Sequence, residues 1–155
     1  MAGFNNDGFD YPVLHMLLGM RRGNPAILYE KAMSIIKSDD RFAGIIYPSD
    51  RHVPQVDLYK IHHFDNKART TSLKALEFNM RMDNISDLPF PVGTRLNREQ
   101  ITMLREYNAH DVTATKQFYH QSVEQIGFRE QLTRQYGRDF LNHNDTKIGA
   151  EIFQM

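Results

Sequence analysis

Apolar positions along this chain recur mostly with the period of a helix and only briefly with the alternation of a strand. Phe9 to Met20 predicts an apolar helix with Pro12 in its first turn, where a missing N–H does no harm. Arg21 to Pro25 breaks the pattern, and Ala26 to Ser38 resumes it with Ile27, Leu28, Ala32, Ile35 and Ile36 on one face. A short helix is predicted over Leu73 to Met82, capped by Thr71 or Ser72, with Leu73, Ala75, Leu76, Phe78 and Met80 as its apolar content. The longest helix runs from about Asn97 to Gln125, its stripe made by Ile101, Leu104, Ala109, Val112, Phe118, Tyr119, Val123 and, just beyond, Ile126. Asn97 with Gln100 three residues on is a capping box that fixes its start. Two more helices follow, Phe128 to Tyr136 stopped by Gly137, and Thr146 to Phe153 capped from within Asn142-His143-Asn144-Asp145.

Strand signals are fewer. Met1 to Asn5 reads as a strand end, Asn6-Asp7-Gly8 as a turn or helix entry, and Phe42 to Tyr47 as a short β run before the turn Pro48-Ser49-Asp50. Val53 to His62 alternates, with Val56, Leu58 and Lys60 facing one way and Asp57, Tyr59 and Ile61 the other. Ile85 to Arg95, holding Pro89, Pro91 and Gly93, predicts an extended connector. The expectation is one mixed α/β domain over residues 1–155 with more helix than strand. A strand at residue 1 is expected to have had others before it.

Composition acts mainly by exclusion. At 155 residues and 41% apolar content the chain can bury a real core. Basic and acidic residues balance at 19 each, so a nucleic-acid partner would be held by a local patch or by metal ions, without global attraction. There is no cysteine, which removes disulfides, thiolate metal sites and thiol nucleophiles, and leaves carboxylates and histidines as ligands. The run Pro12 to Met20 is interrupted by His15 and too short to span a bilayer, and no signal segment opens the chain, so a cytoplasmic protein is expected. Arg21 and Arg22 read as a solvated helix end or as phosphate contacts. Neighbouring residues of a strand point to opposite faces, so His62 and His63 are expected at an exposed strand end and not around one ion.

The best chemical signal is Tyr107-Asn108-Ala109-His110-Asp111, inside the longest helix. Residues four apart share a helix face, so the Tyr107 phenol and the Asp111 carboxylate can address one metal-held water together. An amphipathic helix of this length can also carry such a pair by accident. His110 points about a third of a turn away from Asp111, which predicts a surface or core role.

The opening of the chain sharpens this. Gly3-Phe4-Asn5-Asn6-Asp7-Gly8-Phe9-Asp10-Tyr11-Pro12-Val13-Leu14 resembles the second exonuclease motif of the proofreading domains of family B DNA polymerases: a glycine, an aromatic, an asparagine, three variable residues, Phe-Asp, then Pro-x-Leu. Tyr107-x-x-x-Asp111, continued by Val112-Thr113-Ala114-Thr115, resembles the third exonuclease motif. Val56-Asp57-Leu58 and Ser72-Leu73-Lys74-Ala75-Leu76 look like the strand and helix between those motifs, and the tail from Arg129 to Phe153 is similar to sequence that follows the exonuclease core in bacteriophage polymerases. The resemblance implies the DEDD superfamily, a ribonuclease-H-like fold and 3′-to-5′ removal of nucleotides from the single-stranded 3′ end of DNA, or of RNA, in a host cytoplasm if viral. Two Mg²⁺ or Mn²⁺ ions about 4 Å apart would generate the nucleophile and stabilise the leaving oxygen. By the same resemblance Asp10 would help hold the second ion and Asp111 the first, Tyr107 would orient the attacking water, and Asn5 and Phe9 would shape the floor under the terminal nucleotide.

The chain departs from that pattern in one respect. The first motif of the family is an Asp-x-Glu on an earlier strand, and no Asp-x-Glu occurs in these 155 residues. A partial ribonuclease-H-like α/β fold is therefore expected, helix-rich and lacking its first strands, and inert alone. Three readings follow: part of a split exonuclease whose partner polypeptide brings Asp-x-Glu, a non-catalytic remnant that binds or assembles, as a homo-oligomer covering the incomplete sheet or with another chain, or a helical adaptor whose motifs agree by accident.

Overall fold

The opening motif folds as a tight knot because its glycines let side chains lie on the backbone. A Cβ at Gly3 would stand 2.7 Å from Asn6 Cβ, and one at Gly8 would stand 2.6 Å from Asn5 Oδ1. Asn5 itself takes φ 58, the left-handed region that asparagine tolerates better than most residues, and this ends the first strand. The computed structural model describes residues 1–40 and 42–155.

In chain order these are β1 (Ala2–Gly3), α1 (Asp10–Gly19), α2 (Pro25–Ile36), a 3₁₀ turn (Pro48–Asp50), β2 (Val56–Asp57), α3 (Leu58–Ile61), α4 (Leu73–Asn79), α5 (Arg98–Gln121), α6 (Val123–Tyr136) and α7 (Asp145–Ile152). The architecture is helix-rich, with β1 and β2 forming a two-stranded parallel sheet in which Ala2 pairs Val56 and Gly3 pairs Asp57. The outer edge of β2 is closed by one side chain. The Asp57 N–H donates to Asn142 Oδ1 at 2.7 Å, and Asn142 Nδ2 donates to the Gln55 carbonyl at 2.8 Å, as a neighbouring strand would.

The main core gathers Leu58, Ile61, Leu76, Phe118 and Ile126, with Phe4, Phe64 and Tyr119 packed against it. A second cluster of Leu132, Phe140 and Ile148 joins α6 to α7. Buried Arg129 bridges the two regions, donating to the carbonyls of His143 (2.7 Å), Gln125 (3.0 Å) and Ile61 (3.2 Å) and to Asp145 Oδ1 (2.7 Å).

Several predicted elements differ. Phe42 to Tyr47 is no strand: 42–44 form a turn and 45–47 run without regular structure. The expected strand over Val53 to His62 shrinks to Val56–Asp57, because the Asp57 side chain accepts from the Tyr59 N–H at 3.1 Å and caps α3. His62 therefore closes a helix, half-buried, with Nε2 2.8 Å from Ser122 Oγ. The longest helix ends at Gln121 and a new one begins at Val123, so the break lies at Ser122 and not at Gly127. The capping box at Asn97 forms as predicted, but its stripe turns differently: Ala114 and Phe118 are buried, while Ile101, Val112 and Val123 are exposed.

Candidate active site

Asp10 opens α1, one residue after Phe9, and the run of backbone N–H groups at that helix end favours a carboxylate there. Asp111 sits midway along α5 and is half-buried. The fold brings both to one cleft of about 820 Å³, whose walls include Ala2 and Gly3 of β1, Phe9, and Asn108 and Thr115 of α5. Desolvation raises both carboxyl groups above their ordinary value. The donor set of two partly desolvated carboxylates suits a hard, oxygen-preferring divalent cation, and Asp10 and Asp111 are the residues that would hold it.

Tyr107 stands one turn before Asp111, near enough for its hydroxyl to interact with that carboxylate, but it is not among the side chains lining the cleft. Desolvation and then the Asp111 charge push the phenol upward, so it stays protonated at neutral pH and is the donor of the pair. Phe9 forms part of the cleft wall as expected. Asn5 does not: its side chain lies over Gly8, and it lines a separate hollow of about 400 Å³ that shares Phe9. The structure thus places Phe9 on both the cleft and this hollow and Asn5 on the hollow alone, because the left-handed turn at Asn5 carries its side chain away from the cleft.

No family model, no curated protein and no solved structure matches this chain.

Two sets of residues escaped the sequence reading. Lys116 and His120 lie on the α5 side of the cleft and bring basic groups to its rim. Glu77 of α4 is 3% exposed and lies beside His110, with Nδ1 to Oε1 at 3.5 Å. His110 is therefore a partner of a buried acid, Glu77, to which no role was assigned from spacing alone. The signal for Glu77 was present: 73, 76, 77 and 80 share one helix face, so an acid falls within the apolar stripe while Phe78 falls outside it and is 75% exposed.

Proposed function

We propose that this chain is part of a metal-dependent 3′-to-5′ exonuclease acting on single-stranded ends of DNA or RNA, completed by a second polypeptide that carries the Asp-x-Glu strand. The observation that carries the reading is the convergence of Asp10 and Asp111, from two motifs about a hundred residues apart, on one cleft. Two Mg²⁺ or Mn²⁺ ions would supply the nucleophile and the charge at the leaving oxygen. Asp10 and Asp111 hold them, Tyr107 keeps its proton and orients the attacking water, Phe9 offers an apolar wall to the terminal base, and Lys116 meets phosphate at the rim.

The sheet supports a partner strand. β1 pairs only with β2 among the described residues, and Met1, Ala2, Gly3 and Phe4 line the cleft. With the outer edge of β2 closed by Asn142, an added strand enters at β1 and delivers its carboxylates beside Asp10 and Asp111. An Asp-x-Glu there would complete the ligand set that two carboxylates leave short.

The test is reconstitution on a 3′-ended labelled oligonucleotide with Mn²⁺. The chain alone is expected to be inert and to gain activity when mixed with a fragment bearing the Asp-x-Glu strand. Asp111→Asn should abolish the gain, and Tyr107→Phe should reduce it by about 10²-fold. Failure of every such fragment to rescue activity would overturn the proposal. The non-catalytic assembly reading draws on the exposed Leu17, Leu18, Ile27 and Ile36 of α1 and α2. It requires a stable oligomer by light scattering that is indifferent to Asp10→Ala and Asp111→Ala.

A further inference from the structure

We propose that Glu77, His110 and Asp111 together bind one divalent transition-metal ion, Zn²⁺ in preference to Mg²⁺. Their ligand atoms all lie within 4.8 Å of one another, drawn from α4 and α5. The arrangement of protons points to a cation. His110 Nε2 lies 3.1 Å from the backbone carbonyl of Asp83, which can only accept, so Nε2 carries the hydrogen. In the neutral ring Nδ1 then presents a lone pair. It faces Glu77 Oε1, another acceptor, at 3.5 Å. That oxygen is buried and has no hydrogen-bond partner, on a side chain only 3% exposed.

Two acceptors that face each other need a proton or a cation between them. A second proton on the ring would answer Glu77 alone. Asp111 adds a second carboxylate to the same space, and a dication balances both. The 3.5 Å separation is also close to the edge of a tetrahedron whose ligands stand about 2.1 Å from the centre. A backbone carbonyl on the far ring nitrogen is the usual outer partner of a metal-bound histidine, fixing its tautomer. One imidazole with two carboxylates ranks Zn²⁺ above Mn²⁺, whereas Mg²⁺ wants an octahedron of oxygens. Every ligand comes from this chain, so the site needs no partner polypeptide, although it shares Asp111 with the nuclease reading.

The experiment uses the full chain stripped with chelator and titrated with zinc chloride by calorimetry. One Zn²⁺ per chain is expected, with a rise in melting temperature. His110→Ala and Glu77→Gln should each weaken binding about tenfold or more. Binding should persist in Asp10→Ala, which separates this ion from one shared by the two motif aspartates, and in His52→Ala, at an exposed histidine elsewhere. Co²⁺ added to the unmodified chain should give a visible absorption band that His110→Ala removes, a readout that does not depend on whether Glu77→Gln folds. Absence of a bound equivalent, a featureless Co²⁺ spectrum, or affinity unchanged in both variants would overturn the proposal. Zinc binding without nuclease rescue would leave this site standing, and rescue without zinc binding would leave only the nuclease.

Discussion

Asp57 shows how much one side chain can organise. Its carboxylate accepts from the N–H groups of Asn5 (2.9 Å), Asp7 (3.1 Å) and Tyr59 (3.1 Å), tying the opening turn to β2 and α3. Burial nevertheless raises it from 3.8 to about 6, reinforced by the neighbouring charge of Asp7. A raised carboxyl binds its proton more tightly when folded, so its contribution is complete below about pH 4 and lost as pH rises through about 6. The size is about 3 kcal/mol. Denaturant titrations at pH 4 and pH 7 should show that fall, and Asp57→Asn should flatten it. At this scale the sequence was legible wherever position follows spacing: motif order pointed to Asp10 and Asp111 sharing one cleft, and the i, i+4 rule to Tyr107 one turn from Asp111. Asn5 lies in the neighbouring hollow because its left-handed backbone redirects its side chain, and no period encodes that.

Between α5 and α6, Ser122 makes the break that the apolar stripe concealed. Its Oγ donates to the Phe118 carbonyl at 2.8 Å, so it accepts from His62 Nε2 at 2.8 Å. Burial, and after it Arg129, lowers the His62 pKa, so its share of stability is present above pH 6.5 and lost as the pH falls below that. Ser122→Ala should leave the ring N–H without a partner and destabilise by about 1–3 kcal/mol, read from the urea midpoint at pH 7.5. Helices were legible because capping residues mark their starts: Asn97, Ser72 and Asn144 each cap as expected. Strands were not. Val53 to His62 satisfied alternation, but Leu58 and Ile61 satisfy a helical i, i+3 spacing equally well, and the Asp57 cap decides for the helix. The run Phe42 to Tyr47 has strand composition, yet a strand needs a neighbour to pair with.

Across the whole molecule, Arg129 is the piece that joins distant parts, since its guanidinium serves α3, α6 and the approach to α7 at once. Arg129→Met keeps the bulk but strands the His143 and Ile61 carbonyls, and should destabilise by about 3 kcal/mol or more in thermal unfolding. The association with an Asp-x-Glu fragment should be blocked by Ala2→Pro, which deletes an N–H from β1, while circular dichroism of the chain alone stays unchanged. No described helix is long and apolar enough to cross a membrane. The Asn142 clasp on β2 has one more outcome. Lateral growth of this miniature sheet can proceed from a single flank, so two copies that meet there stopper each other and no filament propagates. Whatever chain occupies that flank ends the sheet, and freeing the other flank with Asn142→Ala should let the mass of concentrated samples climb.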